Sequence, residues 1–247
     1  MKRNELAWAA QLLTGLSLFL GFWAIVQAIE GSIFMACWLI VIAAICDGLD
    51  GKIARFTRSS SEMGIELDSL VDIVSFGVAP SVLLYTISFQ KFGFAGVLLA
   101  ALPLLFGVIR LARFNVSATT GEKRGYLGLP IPMQAVTTAT FIVFNYSIWG
   151  DLHLEILLIP MTMALSILMV SHLPYDAMPR FSLRDTKKNK VNLALIVTGF
   201  ALLLINPSLM FFPLIMMYLL KGLIITVLRL GMPADEIEEV LEDEKFI

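Results

Sequence analysis

The chain has 247 residues, of which 58% are hydrophobic and only 15% are charged, and its mean hydropathy is +0.83. Soluble domains average about 45–50% apolar and about 25% charged residues, so this composition predicts a polytopic membrane protein. The formal net charge of −2 comes without a basic block of the kind that nucleic-acid binding requires. We therefore expect a membrane protein without a nucleic-acid partner.

Apolar segments of membrane-spanning length recur along the chain and predict an all-α integral membrane fold. A helix needs about 20 apolar residues to cross a bilayer, so this length accommodates about six to eight spans. The candidate spans are approximately residues 8–28, 33–56, 65–88, 94–115, 131–149, 153–172, 190–206 and 209–230. The two cysteines, Cys37 and Cys46, fall on one span, where a regular helix keeps them too far apart to pair.

Four aspartates lie at one end of the second and third predicted spans: Asp47, Asp50, Asp68 and Asp72. Charge at mid-bilayer costs roughly 2.5–3.5 kcal/mol per residue on insertion scales, so intramembrane carboxylates usually serve a function. The spacings of three and four residues place each pair on one face of its helix. Carboxylate oxygens suit Mg²⁺, Mn²⁺ or Ca²⁺, and residues 47–72 contain no Cys or His that would suggest zinc. The simplest interpretation is a divalent-metal site between two helices at the membrane edge.

Small residues alternate with these carboxylates, in the frame Asp47-x2-Asp50-Gly51-x2-Ala54-Arg55-x8-Gly64-x3-Asp68-x3-Asp72. On the third span, Ser75 falls on the same predicted stripe as Asp68 and Asp72. Positions with little side chain leave room for a bulky ligand, and the planar guanidinium of Arg55 suits phosphate. Two metals beside such an arginine favour displacement at phosphorus.

Other interpretations of the aspartates predict different patterns. A single aspartate at a helix end is commonly a cap or a solvated terminus. A carboxylate-lined cation or proton pathway places its acids near mid-span and has no need of Gly51, Gly64 and Arg55. A non-catalytic membrane scaffold would tolerate the loss of any one carboxylate. The complete frame favours an enzyme.

Basic residues are distributed unevenly among the predicted connections. With the N-terminus in the cytoplasm, Lys91 is the one basic residue of 18 that falls on an outward connection. The inward connections contain Lys52, Arg55, Arg58, Arg110, Arg113, Lys123, Arg124, Arg180, Arg184, Lys187, Lys188 and Lys190. The positive-inside rule therefore predicts that both termini and all four aspartates face the cytoplasm.

The segment D-G-L-D-G-K-I-A-R-F followed by G-I-E-L-D-S-L-V-D resembles the signature of the CDP-alcohol phosphatidyltransferases, with every signature position and the eight-residue gap present. The resemblance implies that the four aspartates hold two divalent cations. Asp47 and Asp68 would bridge both metals, Asp50 would complete the ligand set of one metal, and Asp72 would complete that of the other. Asp72 would also act as general base. It further implies that the CDP-lipid is contacted by Gln11, Thr14, Gly51, Ala54, Arg55, Ser61 and Gly64.

Later motifs resemble the integral-membrane branch of that family that uses serine as acceptor. They are I-V-S-F-G-V-A-P at 73–80, R-L-A-R-F-N at 110–115, Y-L-G-L-P-I-P at 126–132 and S-H-L-P-Y at 171–175. Serine brings a carboxylate and an ammonium group, so its site needs an anion receptor beside the metals. Arg110, Arg113 and Asn115 are the candidate acceptor ligands. Glycerol 3-phosphate, an inositol phosphate or choline as acceptor stays open.

The resemblance implies transfer of the phosphatidyl group of CDP-diacylglycerol, or of an ether-lipid counterpart, to L-serine. No Ser–His or Cys–His arrangement indicates a covalent intermediate, which favours direct displacement. The same resemblance implies a homodimer. We expect a six-helix catalytic core in residues 1–182, two further transmembrane helices in residues 183–231, and an acidic cytoplasmic tail in residues 232–247.

Overall fold

The computed structural model of the chain describes residues 2–57, 62–119, 128–171, 199 and 202–230. In this part of the chain all regular secondary structure is helical. The helices are α1 (Lys2–Ile29), α2 (Ile33–Thr57), α3 (Glu62–Asp72), α4 (Ala79–Ile87), α5 (Phe94–Thr119), α6 (Ile131–Trp149), α7 (Leu158–Val170) and α8 (Pro207–Leu230). A π-helical turn (Ile73–Val78) joins α3 to α4, and short 3₁₀ turns (Phe89–Phe92 and Glu155–Leu157) precede α5 and α7.

Four helical segments are long and apolar enough to cross a membrane: Gln11–Ile29, Ile33–Ile53, Met63–Ile87 and Phe94–Val116. Their outward faces carry exposed leucine, isoleucine and phenylalanine side chains, which is the pattern expected of helices that contact lipid. The prediction of an integral membrane protein is thus supported by the structure. The expected count of six spans plus two stays a prediction. Helix α6 is not among these four segments, α7 and α8 contain only shorter apolar stretches (Glu155–Val170 and Pro207–Leu220), and residues 172–198 lie outside the described part.

The first two helices form a tightly packed hairpin. Ala24, Ala28, Ala36 and Ala43 are buried along it, and small residues of this kind let helix backbones approach closely in a membrane. The Ser17 hydroxyl donates a hydrogen bond to the Ala43 carbonyl across the pair (3.1 Å). Both cysteines are buried and unpaired with each other, as predicted.

The third predicted span is one continuous helical segment that contains a π-helical turn directly after Asp72. In this turn the buried Ser75 hydroxyl donates a hydrogen bond to the Ser17 carbonyl of α1 (3.0 Å). The close approach requires Gly21, since a side chain there would overlap Ser75. A π turn rotates everything that follows it relative to a regular helix. Ser75 packs against α1 through this bond, and the stripe that it was predicted to share with Asp68 and Asp72 stays a prediction.

Helix α6 lies inside the bundle, and several of its buried residues are polar. Most of its residues are buried, including Gln134, Thr137, Thr140 and Asn145. Threonine hydroxyls bond carbonyls of the preceding turn, as in Thr137 to Met133 (2.6 Å) and Thr140 to Val136 (2.7 Å). Polar residues satisfied in this way can be surrounded by protein.

Candidate active site

Helices α2 and α3 bring the four aspartates together. Asp47 and Asp50 lie near the C-terminal end of α2, and Asp68 and Asp72 lie on α3. One carboxylate oxygen from each of Asp47, Asp50 and Asp68 lies within 4.8 Å of the other two. The Asp72 carboxyl group is within hydrogen-bonding reach of Asp47. We call these four residues the carboxylate cluster.

The cluster places like charges at short range. At an effective dielectric of about 20, two carboxylates this close repel by roughly 3–4 kcal/mol, and less where a group is exposed, as Asp68 is. Asp50 is 3% exposed, so solvent does little to screen it. The positive charge of Arg110 on α5 lies near Asp72. One arginine offsets only part of the repulsion among four carboxylates.

The cluster fits a divalent cation. Asp72 Oδ1 is buried and has no hydrogen-bond partner in the described part of the chain, which leaves a costly unsatisfied acceptor. A donor set made only of carboxylate oxygens suits hard divalent ions. The oxygens of Asp47, Asp50 and Asp68 are close enough together to share one ion.

Helix α1 supports the cluster through Thr14. This residue is buried, and its hydroxyl donates a 2.7 Å hydrogen bond to Asp50 Oδ2. This bond orients a candidate metal ligand, so Thr14 would support a bound ion through Asp50 and would not contact it directly. Gln11, one turn earlier, is exposed. A CDP-lipid contact for these two residues stays a prediction.

The glycine positions on α2 leave open space beside the carboxylates. A Cβ atom built at Gly51 or at Gly48 would meet no other atom within 4 Å. Gly64 lies half-buried on α3. Ala54 and Arg55 lie on the last turn of α2, but their side chains are outside the described part, as is Ser61. Their predicted roles are therefore not addressed by the structure.

The three candidate acceptor ligands on α5 occupy different surroundings. Arg110 is half-buried with its charge near Asp72. Arg113 is exposed and donates a hydrogen bond to the carbonyl of Val170 at the end of α7 (3.0 Å). Asn115 donates from Nδ2 to the Ser69 hydroxyl on α3 (3.2 Å). Arg110 and Asn115 thus approach the helix that carries Asp68 and Asp72, whereas Arg113 is directed to α7.

Residues from the motifs at 110–115 and 126–132 meet the end of α7, where the motif at 171–175 begins. We call this place the α7 corner, and it consists of Arg113, Gly128, Leu129 and residues 168–171. The Leu129 N–H donates to the Leu168 carbonyl (2.9 Å), and Arg113 bonds Val170. Gly128 has φ +81° and passes so close to the Met169 carbonyl that a Cβ atom would overlap it. These contacts satisfy carbonyls that a helix end leaves without partners. Ile131, two residues after Leu129, is buried against Gly77 of the π turn and Gly107 of α5.

Ser69 is a residue of the site that the sequence patterns did not single out. It lies between Asp68 and Asp72 and contacts Asn115, 46 positions later in the chain. The available signal was its position three residues before Asp72, which makes the two side chains neighbours on a helix surface. Nothing in the sequence indicated which residue of α5 would face it.

The all-helical fold, the segments of membrane-spanning length and the carboxylate cluster define an integral membrane protein with a candidate metal centre at one end of its helix bundle. The family model for CDP-alcohol phosphatidyltransferases matches residues 7–170. The chain belongs to this family, and it is an enzyme of the CDP-alcohol phosphatidyltransferase class.

Individual relatives match most of the chain. It is 41% identical over 212 residues to the CDP-diacylglycerol–serine O-phosphatidyltransferase of Helicobacter pylori, covering 85% of this chain and 84% of that protein. It is 34% identical over 218 residues to the protein of that name from Mycobacterium leprae, covering 84% and 70%. The archaetidylserine synthase of Methanothermobacter thermautotrophicus is 37% identical over 166 residues, covering 66% and 67%.

Proposed function

We propose that the protein transfers the phosphatidyl group of CDP-diacylglycerol, or of an ether-lipid counterpart, to the hydroxyl of L-serine, releasing CMP. The observation that carries the proposal is the convergence of four carboxylates beside the open space at Gly51. Relatives named for CDP-diacylglycerol–serine and for archaetidylserine share serine in their names and differ in the lipid part. This agreement supports the serine acceptor more strongly than any one lipid.

Asp72 is proposed to take the proton from the serine hydroxyl. The serine oxygen then attacks the β-phosphorus of the CDP-lipid, and the bond from that phosphorus to the bridging oxygen breaks. CMP leaves with the bridging oxygen, and the phosphatidyl group stays on serine. The Asp72 carboxyl group lies within hydrogen-bonding reach of Asp47, and Arg110 places positive charge beside it.

The cluster Asp47, Asp50, Asp68 and Asp72 would hold two divalent cations, Mg²⁺ or Mn²⁺ being the first candidates and Ca²⁺ the next. Bound there, the cations would neutralise charge on the pyrophosphate and on the departing CMP. Gly51 leaves room for the nucleotide against the helix backbone. Gln11, Ala54, Arg55, Ser61 and Gly64 are proposed to complete the CDP-lipid site, on the strength of the family signature.

We propose that the site and both termini face the cytoplasm. Lys91 and Glu155, on two connections that the positive-inside rule places outside, form a 2.7 Å ion pair with each other. This contact supports a common end of the bundle for those connections, opposite the carboxylate cluster. A homodimer is proposed from the family resemblance alone.

The test is CMP release by the purified protein from CDP-diacylglycerol with Mn²⁺ or Mg²⁺, with each candidate acceptor supplied in turn. We expect release that depends on serine and that falls by more than about a hundredfold in Asp72→Asn, since loss of a general base typically costs about 10²–10⁴ in rate. Glu66→Gln, an exposed carboxylate change on the same helix, is the matched control.

Other outcomes separate the alternatives. CMP release with glycerol 3-phosphate, an inositol phosphate or choline, and none with serine, would keep the reaction class and overturn the acceptor. Metal flux into vesicles without CMP release from any acceptor would favour a cation pathway instead.

A further inference from the structure

Ser69 makes two hydrogen bonds that together determine how the Asn115 amide is oriented. Its hydroxyl donates to the carbonyl of Ile65 in the preceding turn of α3 (3.2 Å). The same oxygen accepts the hydrogen bond from Asn115 Nδ2 (3.2 Å). A serine hydroxyl has a single hydrogen. Since that hydrogen is used on Ile65, Ser69 can only accept from Asn115.

This assignment decides which end of the amide faces α3. An asparagine presents an NH₂ group on one edge and a carbonyl oxygen on the other, and the two are distinguished by their hydrogen bonds. With NH₂ directed at Ser69, the Oδ1 edge is not used in this contact with α3. The oxygen has two lone pairs, so it can accept from a ligand as well as from a protein group.

The Asn115 amide lies beside the proposed reaction centre. Ser69 and Asp72 are three residues apart on α3, which is about 4.5 Å along a helix axis. Helix α5 packs along the π turn and α4, whereas in the described part it approaches α3 mainly through side chains. Asp72, the charge of Arg110 and the amide of Asn115 therefore lie together where α5 approaches α3.

Building on the proposed function, we propose that Ser69 is a positioning residue for the acceptor: it holds Asn115 so that the amide oxygen accepts from the acceptor's ammonium group. Arg110 then receives the acceptor's carboxylate. The opposite amide orientation would aim an NH₂ donor at a cation and would repel it. Ser69 thereby favours an amino-acid acceptor over an alcohol without an ammonium group.

The test is steady-state kinetics of CMP release by the full-length protein, with the KM for serine and the KM for CDP-diacylglycerol measured separately. In Ser69→Ala the amide can turn over, and we expect the serine KM to rise about tenfold, as for loss of one oriented hydrogen bond. The CDP-diacylglycerol KM should not change. Ser69→Thr retains the hydroxyl and should restore the serine KM, and Ser81→Ala, a buried serine change on α4, should leave both constants at wild-type values.

Asn115→Ala provides an independent arm, and it should raise the serine KM in the same way. Because Ser69 acts through Asn115, the double variant should be no worse than Asn115→Ala alone, whereas independent effects would multiply. Equal changes in both KM values, multiplicative effects, or an unchanged serine KM in either single variant would overturn the inference. The proposed function is checked separately, since its failure would appear as absence of serine-dependent CMP release by the wild-type protein.

Discussion

The carboxylate cluster and the α7 corner are built in opposite ways at the same end of the helix bundle. The cluster gathers like charges and contains a buried acceptor, Asp72 Oδ1, without a hydrogen-bond partner in the described part. In the α7 corner the terminal carbonyls of Leu168 and Val170 receive the Leu129 N–H and the Arg113 guanidinium. One region is incomplete without a ligand, and the other is complete as folded.

This difference separates binding from stability. A site whose charges repel one another lowers the stability of the metal-free protein and regains it when a cation binds. A helix end whose carbonyls have donors stabilises the fold at all times. Helix α5 contributes to both regions, with Arg110 and Asn115 directed at α3 and Arg113 at α7. We therefore expect loss of a carboxylate from the cluster to lower activity and to raise the stability of the metal-free protein. Substitutions in the α7 corner should instead lower the stability of the fold.

The largest effect is expected from Asp68→Asn. Loss of a metal ligand should lower serine-dependent CMP release by more than about a hundredfold, because even residues that only orient metal ligands contribute about 10–100-fold. Removal of one like charge should also raise the stability of the metal-free protein, by an amount on the order of 1 kcal/mol because Asp68 is exposed. Activity assays and thermal unfolding in excess chelator measure the two quantities. A variant that is less stable than wild type without metal would contradict the account of the cluster.

Gly128→Ala should break the α7 corner. Both Gly128 (φ +81°) and Gly150 (φ +77°) have left-handed backbone conformations, but a Cβ at Gly150 would enter open space. Gly150→Ala should therefore cost only the conformational term, about 1–2 kcal/mol. Gly128→Ala must also displace the backbone of Met169, so we expect a loss of more than about 3 kcal/mol. Thermal unfolding in detergent compares the two, and equal losses would show that the close approach does not matter.

Thr14→Val should sharpen the description of the cluster. This change removes the hydrogen bond to Asp50 Oδ2 and keeps the branched shape of the side chain. Residues that orient metal ligands typically contribute 10–100-fold to metal affinity, so the Mn²⁺ concentration for half-maximal activity should rise by about tenfold. Thr14→Ser retains the hydroxyl and serves as the control. If Thr14 binds the nucleotide instead, the CDP-diacylglycerol KM will rise while the metal requirement stays the same.

The smallest effect is expected at the opposite end of the bundle. Hydrogen bonds from Lys91 and then Ser88 lower the pKa of Glu155 below its usual value. A lowered pKa in the folded state adds stability above the ordinary glutamate pKa of about 4.3. That contribution disappears as the pH falls through the lower, folded-state value.

Lys91→Met should therefore destabilise the protein by less than about 1 kcal/mol at neutral pH, as for other exposed ion pairs. The difference should vanish in acid, where Glu155 is protonated. Unfolding of wild type and variant across this pH range measures it, and Lys52→Met, an exposed lysine at the other end of the bundle, is the control. A difference that persists in acid would mean that Lys91 acts through packing on Phe92.

Several features could be predicted from local sequence because they depend on neighbouring residues. The helical segments follow from apolar length, and their observed bounds, such as Ile33–Thr57 for the predicted 33–56, agree closely. The approach of the four aspartates could be anticipated as well, because α2 and α3 are consecutive and each pair lies on one face of its helix. The π turn of the third span was not predicted, and its Ser75 contacts Ser17 and Gly21 of α1, more than 50 positions earlier in the chain.

What the sequence by itself determined is the membrane class, the helical segments and the carboxylate frame, all of which rest on spacing within one or two helices. Only the tertiary structure decided the partners across the bundle: Thr14 with Asp50, Ser69 with Asn115, and Arg113 with Val170. The two arginines of α5 are three residues apart in a single motif, yet one faces Asp72 and the other the end of α7. The physical reason is that such contacts depend on how helices pack, and helix packing is set by distant side chains such as Ile131 between Gly77 and Gly107.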